Sequence, residues 1–83
     1  MMFSNAEAYD RFMGRWSRVV APLLVDFAGV PCAGRILDVG SGIGTLAFEI
    51  AKRNATQVTG IDPSGEFVAY ARNGNPFPDQ ACF

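Results

Sequence analysis

The sequence predicts an α/β fold built on a parallel sheet, and three features of residues 35–62 support this class. The short run Ile36-Leu37-Asp38-Val39 is of the kind found in buried parallel strands. A glycine-rich turn and an amphipathic helical pattern follow it directly. A second apolar run, residues 58–61, then ends at Asp62. We therefore expect one strand–helix–strand unit, with two parallel strands joined by a right-handed crossover.

The residues before this unit are predicted to be helical. Ser4, followed three residues later by Glu7, has the form of a capping box, so a helix should begin near Asn5. Large side chains then recur at i, i+3, i+4 and i+7 on one helix face, and these are Tyr9, Phe12, Met13 and Trp16. This face either covers a ligand, with Tyr9 or Arg15 near it, or packs on the sheet.

A second helical pattern follows. Its apolar residues keep the same spacing and are Val19, Val20, Leu23, Leu24 and Phe27. Pro22 lies inside the pattern, where it removes one hydrogen bond and clashes with the preceding turn, so we expect a kink or a new helix there. Gly29 and Pro31 should end the helix. We interpret this helix as scaffold without chemistry of its own.

The turn after the first strand is the clearest candidate for ligand binding. Gly40, Gly42 and Gly44 alternate with Ser41 and Ile43, and glycines let the backbone take a positive φ and let a ligand approach closely. The helix predicted over Thr45–Arg53 would direct its unpaired N–H groups at this turn. The spacing is G-x-G-x-G rather than the G-x-G-x-x-G of dinucleotide-binding proteins, and no Gly-Lys-Ser/Thr follows for a P-loop.

Each predicted strand carries an acidic residue at its carboxyl end. Asp38 and Asp62 would place two carboxylates around a ligand in the crevice above the strands, the usual site in open α/β sheets. Such a ligand should not be strongly anionic, whereas a cation with a ribose diol would suit both acids. Each acid also has a structural alternative. Asp38 could satisfy the N–H groups of the turn, and Asp62 could cap the helix that follows, as we expect Ser64 to do.

These residues resemble a known family. L-D-V-G-S-G-I-G-T resembles motif I of the class I S-adenosylmethionine-dependent methyltransferases, and V-T-G-I-D-P-S resembles the next motif, whose acid holds the ribose hydroxyls. The preceding Y-D-R-F-M-G-R-W-S-R-V-V-A-P-L-L is similar to the N-terminal helices of ubiquinone/menaquinone-biosynthesis methyltransferases. The resemblance implies the N-terminal part of a doubly wound, Rossmann-like methyltransferase sheet, truncated after two strands. It implies S-adenosyl-L-methionine as cofactor, with these binding residues: Asp38, Gly40, Ser41, Gly42, Gly44 and Asp62.

We expect a single incomplete domain of three parts. Residues 1–31 form the N-terminal helices, residues 32–72 the cofactor-binding βαβ unit, and residues 73–83 a truncated tail. A third helix should begin after Pro63-Ser64 and end at Asn73-Gly74, where left-handed conformations are tolerated. The tail either runs collinearly into a third strand at residues 81–83 or matches a later stretch of the family through an internal deletion. Collinearity needs only one event and is preferred.

Composition excludes several classes. A net charge of −1 gives no electrostatic basis for nucleic-acid or acidic-membrane binding, and the longest apolar run is too short to span a bilayer. Cys32 and Cys82 lack the spacing of a metal site, and histidine is absent, so two reduced thiols and no metal are expected. No secretory signal is visible, which favours a cytoplasmic protein.

The resemblance implies a small-molecule methyl acceptor, and no catalytic residue is identified. The first strand of the family's sheet has a neighbour on its other side that is missing here, so we expect an open edge, weak cofactor binding and no turnover. Two alternatives stay open. One is a piece of a nucleotide-dependent oxidoreductase, and the other is a non-catalytic remnant that self-associates or docks on a partner through that edge.

Overall fold

The computed structural model describes residues 4–30, 34–53 and 57–83, and at its centre lies a parallel sheet. Strand β1 (Arg35–Val39) pairs with β2 (Gln57–Ile61), which pairs with β3 (Ala81–Cys82) in the order β1-β2-β3. The α/β class and the two expected parallel strands are confirmed, and β3 adds a third. Its place beside β2 agrees with the collinear alignment of the tail.

The N-terminal residues form one uninterrupted helical stretch. Helix α1 (Asn5–Tyr9) continues through a π-helical turn, Asp10–Gly14, into α2 (Arg15–Ala28). The expected cap is present, since Ser4 Oγ accepts a hydrogen bond from Glu7 N at 3.1 Å. Gly29 ends α2 in the left-handed conformation, with φ of 65°.

The expectation of a new helix at Pro22 is wrong, because Pro22 lies inside α2. Proline removes only its own N–H from the helical ladder, so the other hydrogen bonds of α2 can continue past it. The π-turn, Asp10–Gly14, lies before the proline, and a kink at Pro22 stays a prediction. The Pro22 carbonyl is used, accepting a hydrogen bond from Arg53 Nη2 at 3.2 Å.

The crossover between β1 and β2 is helix α3 (Thr45–Arg53), as the apolar pattern predicts. Together with α2 it covers one face of the sheet. The core that results contains Val25 from α2, Ala47 and Ile50 from α3, and Val58 from β2. Arg53 joins the two helices at their far end by bonding Asp26 on α2 and Glu49 on α3.

Helix α4 (Gly65–Asn73) connects β2 to β3. Ser64 caps it by accepting a hydrogen bond from Phe67 N at 3.2 Å, so the expected structural role of Ser64 is confirmed. The expected left-handed end is wrong: Gly74 has φ of −97°. Its N–H instead bonds the Tyr70 carbonyl at 3.1 Å, which ends the helix without a positive φ.

The second face of the sheet carries exposed apolar side chains. Leu37 and Val39 of β1 and Ile61 of β2 point away from the helices, and Val39 is 72% exposed. The apolar run of β1 is typical of buried parallel strands, but here only one of its faces meets the core, through Ile36.

Helix α2 also exposes most of its apolar residues. The exposed set is Val19, Val20, Leu23, Leu24 and Phe27. Only Ala21 and Val25 of the helix are buried. The 3.6-residue pattern thus marks a real apolar face, but most of that face is exposed. Within the described ranges no helix is long and apolar enough to cross a membrane.

Two expectations concern residues that the structure does not describe. Pro31, expected to help end α2, and Cys32, expected to be one of two reduced thiols, both lie outside the described ranges. Cys82 in β3 is a free, exposed thiol.

Candidate functional site

The glycine loop, residues 40–44, joins the end of β1 to the start of α3. Gly40 and Gly42 have φ of 75° and 57°, values that favour glycine because other L residues are strained there. No atom lies within 4 Å of the position that a Cβ would take on either residue. Both glycines therefore border open space, where a ligand can approach the backbone.

The end of β2 holds this loop in place. The Ile61 carbonyl accepts hydrogen bonds from Gly40 N at 2.8 Å and Ser41 N at 2.9 Å. The next residue, Asp62, accepts from Gly42 N at 2.9 Å through Oδ2 and from Ser64 N at 2.8 Å through Oδ1. Asp62 thus joins the glycine loop to the start of α4. Each of its carboxylate oxygens retains capacity for another hydrogen bond.

Two polar atoms at the loop are buried without a protein partner. Within the described ranges, these unpaired buried side-chain oxygens are Asp38 Oδ2 and Ser41 Oγ. Burial, and to a smaller extent the negative charge of Asp62, raise the pKa of Asp38. An unpaired buried oxygen costs about 1–3 kcal/mol, more if it is charged, so such an atom in a native fold needs an explanation.

A cavity of about 330 Å³, the loop cavity, lies between the glycine loop and the N-terminal helices. Gly40, Ser41 and Gly42 line one side of it. Tyr9, Met13 and Trp16 line the other, and we call these three residues the helix wall. The volume is within the usual range for small-molecule sites, about 300–1,000 Å³.

The helix wall corrects one expectation from the sequence. The aromatic face does not pack down on the sheet, since Tyr9, Phe12, Met13 and Trp16 are all exposed. Three of these four instead face the glycine loop across the cavity. Arg15, expected near the ligand, lies over the Trp16 ring with its guanidinium carbon 5.3 Å from the ring centroid.

Gly44 differs from the other two loop glycines. It is buried, and an added Cβ would lie 2.9 Å from Phe48 Cζ and 3.0 Å from Phe83 Cζ. Gly60 in β2 is crowded in the same way, with Ser41 Cβ and the Phe83 ring within 2.8 Å of its missing Cβ. These glycines let the loop, α3 and the residue after β3 pack closely.

The six residues expected to bind a cofactor are therefore brought together at one end of the sheet, but in different roles. Gly40, Ser41 and Gly42 line the loop cavity. Asp62 holds the loop by accepting a hydrogen bond from Gly42 N, and Gly44 packs against aromatic rings. Cofactor binding by all six stays a prediction. Sequence reasoning assigned no role at the site to Val20 and Leu24 of α2, although both line the cavity. The sequence does contain a clue to both residues, because Val20 and Leu24 continue the helical spacing of Tyr9, Met13 and Trp16.

A second, larger cavity of about 940 Å³ lies among the N-terminal helices, α3 and α4. Its polar lining includes Asp10, Arg18 and Tyr70, and its apolar lining includes Phe48 and Phe77. Arg18 and Tyr70 each donate a hydrogen bond to Asp10, so these three groups already have partners within the protein.

Residues 36–79, more than half of the chain, match a family model described as a methyltransferase domain. The match begins in β1 and runs without a break through the glycine loop, Asp62 and α4. The chain belongs to this methyltransferase domain family. The matched range contains both strand-end acids and the alternating glycines.

Individual relatives agree with this assignment. An alignment 37 positions long, with 57% identity to the ubiquinone/menaquinone biosynthesis C-methyltransferase UbiE of Geotalea daltonii, covers 42% of the chain and 16% of that protein. A structure from Methanococcus maripaludis described as an S-adenosyl-L-methionine-dependent methyltransferase aligns with 99% of the chain and 44% of its own length, at 21% identity and a TM-score of 0.74.

A TehB-like SAM-dependent methyltransferase from Corynebacterium glutamicum aligns with 94% of the chain, at 24% identity and a TM-score of 0.62. These two structures show that the methyltransferase domain has the expected Rossmann-like fold. The chain spans less than half the length of each of these three proteins.

Proposed function

We propose that this methyltransferase domain binds S-adenosyl-L-methionine in the loop cavity and serves methyl transfer to a small-molecule acceptor. One observation carries the proposal: the loop cavity is lined by the glycine-loop residues Gly40, Ser41 and Gly42 on one side and by the helix wall on the other. The open backbone at Gly40 and Gly42 would admit a ligand there, and Asp38 and Asp62 at the adjoining strand ends would favour one with positive charge.

The residues present fit the chemistry of this cofactor. Asp62 retains acceptor capacity for ribose hydroxyls, and its two backbone bonds fix its position before binding. Gly40 and Gly42 leave the backbone open to close approach. The aromatic rings of Tyr9 and Trp16 suit either a stacked base or a cation. The negative charges of Asp38 and Asp62 favour a ligand with net positive charge.

When bound, the cofactor supplies a methyl group on a sulfonium centre, which is already a good leaving group. The protein then has to hold the reactants in line and exclude water. In this chain the helix wall and the glycine loop close two sides of the cavity, and Asp62 sets the position of the loop. We propose no catalytic residue, and a cytoplasmic location stays a prediction.

Calorimetric titration with S-adenosylhomocysteine tests this function. We expect saturable binding that Asp62→Asn weakens at least tenfold, since asparagine loses the charge and one acceptor. Asp79→Asn, an exposed acid in the loop before β3, should bind like the wild type. NADH should give no heat of binding, in agreement with the family match and against the oxidoreductase alternative. A chain that is folded by circular dichroism but binds no S-adenosylhomocysteine would contradict the proposal.

We infer, as a second candidate role, that the uncovered face of the sheet, which carries Leu37, Val39 and Ile61, binds a second copy of the chain. The accessible surface is 5486 Å². A compact protein of 8.9 kDa exposes about 4,800 Å². The excess is close to the roughly 800 Å² that each partner buries in a stable interface. Sedimentation of the wild type should show a concentration-dependent dimer that Leu37→Lys disrupts, and a monomer at all concentrations would contradict this role.

A further inference from the structure

Asp10 is the meeting point of three helical elements. It stands at the start of the π-turn, and its Oδ2 accepts a hydrogen bond from the Tyr70 hydroxyl of α4 at 2.7 Å. Its Oδ1 accepts from Arg18 Nη1 of α2 at 2.8 Å. The Tyr70 hydrogen bond, then Arg18, hold the pKa of Asp10 below its usual range, so the carboxylate stays charged at neutral pH. Hydrogen bonds to a charged group are about twice as strong as neutral ones.

The local backbone makes room for this carboxylate. A Cβ on Gly14 would overlap Asp10 Oδ1 and lie 3.0 Å from Arg18 Nη1. Glycine inside a helix costs about 1 kcal/mol relative to alanine, so its presence needs a local reason. Here the reason is the ion pair, which crosses the space directly over Gly14. Single π-turns of this kind occur frequently at functional sites.

Further contacts bind the same helix to α4. The Tyr9 and Phe67 rings have centroids 5.3 Å apart, and Ala6 N donates to Glu66 Oε1 at 3.1 Å. Helix α4 in turn begins just after Asp62, whose carboxylate bonds both Gly42 N and Ser64 N. A short chain of direct contacts therefore runs from the helix wall through α4 to the glycine loop.

Two of the three helix-wall side chains have little apolar burial of their own. Met13 and Trp16 are exposed, and Trp16 is 58% exposed. Contacts made elsewhere on the helix therefore help to hold the wall, and two of these are the bonds to Asp10. At the far end of α2, Asp26 bonds Arg53 of α3, which fixes that end but lies away from the cavity.

We propose that Asp10 is a positioning residue of the cofactor site, which by bonding Tyr70 and Arg18 across Gly14 sets the helix wall at the distance from the glycine loop that cofactor binding requires. This inference rests on the proposed function. Asp10 touches no cofactor atom in this scheme. It acts through the helix that carries Tyr9, Met13 and Trp16.

The chain offers a direct reporter, because Trp16 is its single tryptophan and lies in the helix wall. The test compares Tyr70→Phe, which removes one oxygen and keeps the ring, with Asp10→Ala. Asp26→Ala is the matched control, since it also removes one acid and one ion pair from the same helical stretch. Emission of Trp16 is recorded without ligand, and affinity for S-adenosylhomocysteine is measured by calorimetry.

We expect both Tyr70→Phe and Asp10→Ala to shift the ligand-free Trp16 emission to longer wavelength. Tyr70→Phe should weaken binding about tenfold, the effect of losing one hydrogen bond to a charged group, and Asp10→Ala, which loses two such bonds, at least as much. Asp26→Ala should change neither quantity, even where its unfolding midpoint falls as far. Combining Tyr70→Phe with Asp10→Ala should add less than the sum of the two single effects.

Unchanged Trp16 emission in Tyr70→Phe, or unchanged affinity beside a shifted emission, overturns the proposal. An equal effect of Asp26→Ala also overturns it, because the effect would then follow from general stability. If the wild-type chain binds no S-adenosylhomocysteine, the proposed function is contradicted. The ligand-free Trp16 emission of the variants then still tests whether Asp10 fixes the position of the helix wall. Tyr70→Phe keeps the test valid if Asp10→Ala does not fold.

Discussion

Two glycines separate the cost of backbone strain from the cost of a blocked ligand site. Gly42 and Gly29 have φ of 57° and 65°, and neither has an atom within 4 Å of its missing Cβ. Alanine should therefore strain both positions equally, by about 1–2 kcal/mol. For a domain of this size each kcal/mol lowers the unfolding midpoint by about 4–8 °C. Gly42 lines the loop cavity, whereas Gly29 ends α2.

The two variants should therefore unfold at similar temperatures and bind differently. In Gly42→Ala the new methyl group projects toward bound ligand, and overpacking of this kind costs about 1–3 kcal/mol. This corresponds to a loss of about 5- to 150-fold in affinity for S-adenosylhomocysteine. Gly29→Ala should bind like the wild type. Circular dichroism gives the midpoints and calorimetry the affinities. Equal affinities in the two variants would refute the assignment of the loop cavity as the ligand site.

Two further predictions concern charge and packing. Because the pKa of Asp38 is raised, the ligand-free chain should lose stability as the pH rises from about 3.9, the ordinary pKa of aspartate, through the raised value. Affinity for the cationic cofactor should rise over the same pH range as Asp38 ionises. Unfolding at several pH values measures the first trend and calorimetry the second, and Asp38→Asn should abolish both. Ile50→Ala should cost about 2–5 kcal/mol in denaturant unfolding, because Ile50 is 3% exposed in the core. Leu23→Ala should cost under about 0.5 kcal/mol because Leu23 is exposed, and a large loss there would show that this face of α2 is covered.

The βαβ unit is the part of the fold that the sequence predicts best. Its signals are local: an apolar run, alternating glycines, a helical period and a strand-end acid. Observed β1 and β2 begin one residue before the predicted runs and end where predicted, and α3 has the predicted bounds. The Ser4 and Ser64 caps were predictable for the same reason, because a cap depends on residues three positions apart.

Features that depend on distant residues were not predictable. The period of α2 shows that it is amphipathic, but the surface that its apolar face meets depends on how far the sheet extends. The same limit applies to the outward face of β1, where Leu37 and Val39 are uncovered. The bond between Asp10 and Tyr70 joins residues 60 positions apart. Only Gly14, an unexpected glycine within a helical stretch, hints at it in the sequence.

At the candidate site, the residue types were predictable and their division of roles was not. Alternating glycines indicate a ligand loop, yet only the tertiary structure shows Gly44 packed against Phe48 and Phe83. The sequence alone leaves two roles open for the Asp62 carboxylate, ribose binding and helix capping. The structure shows its carboxylate bonded to Ser64 N and also to Gly42 N, with acceptor capacity remaining. The structural role is therefore compatible with the proposed one.

Amide chemical-shift mapping of the ¹⁵N-labelled chain with S-adenosylhomocysteine tests the central claim most directly. We expect the largest changes at the amides of Gly40, Ser41 and Gly42 and at the Trp16 indole N–H, because these four residues line the loop cavity. Amides lining only the larger cavity, such as that of Phe77, should move little. Saturable shifts clustered in the larger cavity, or a folded chain whose glycine-loop amides do not respond, would contradict the assignment of this site.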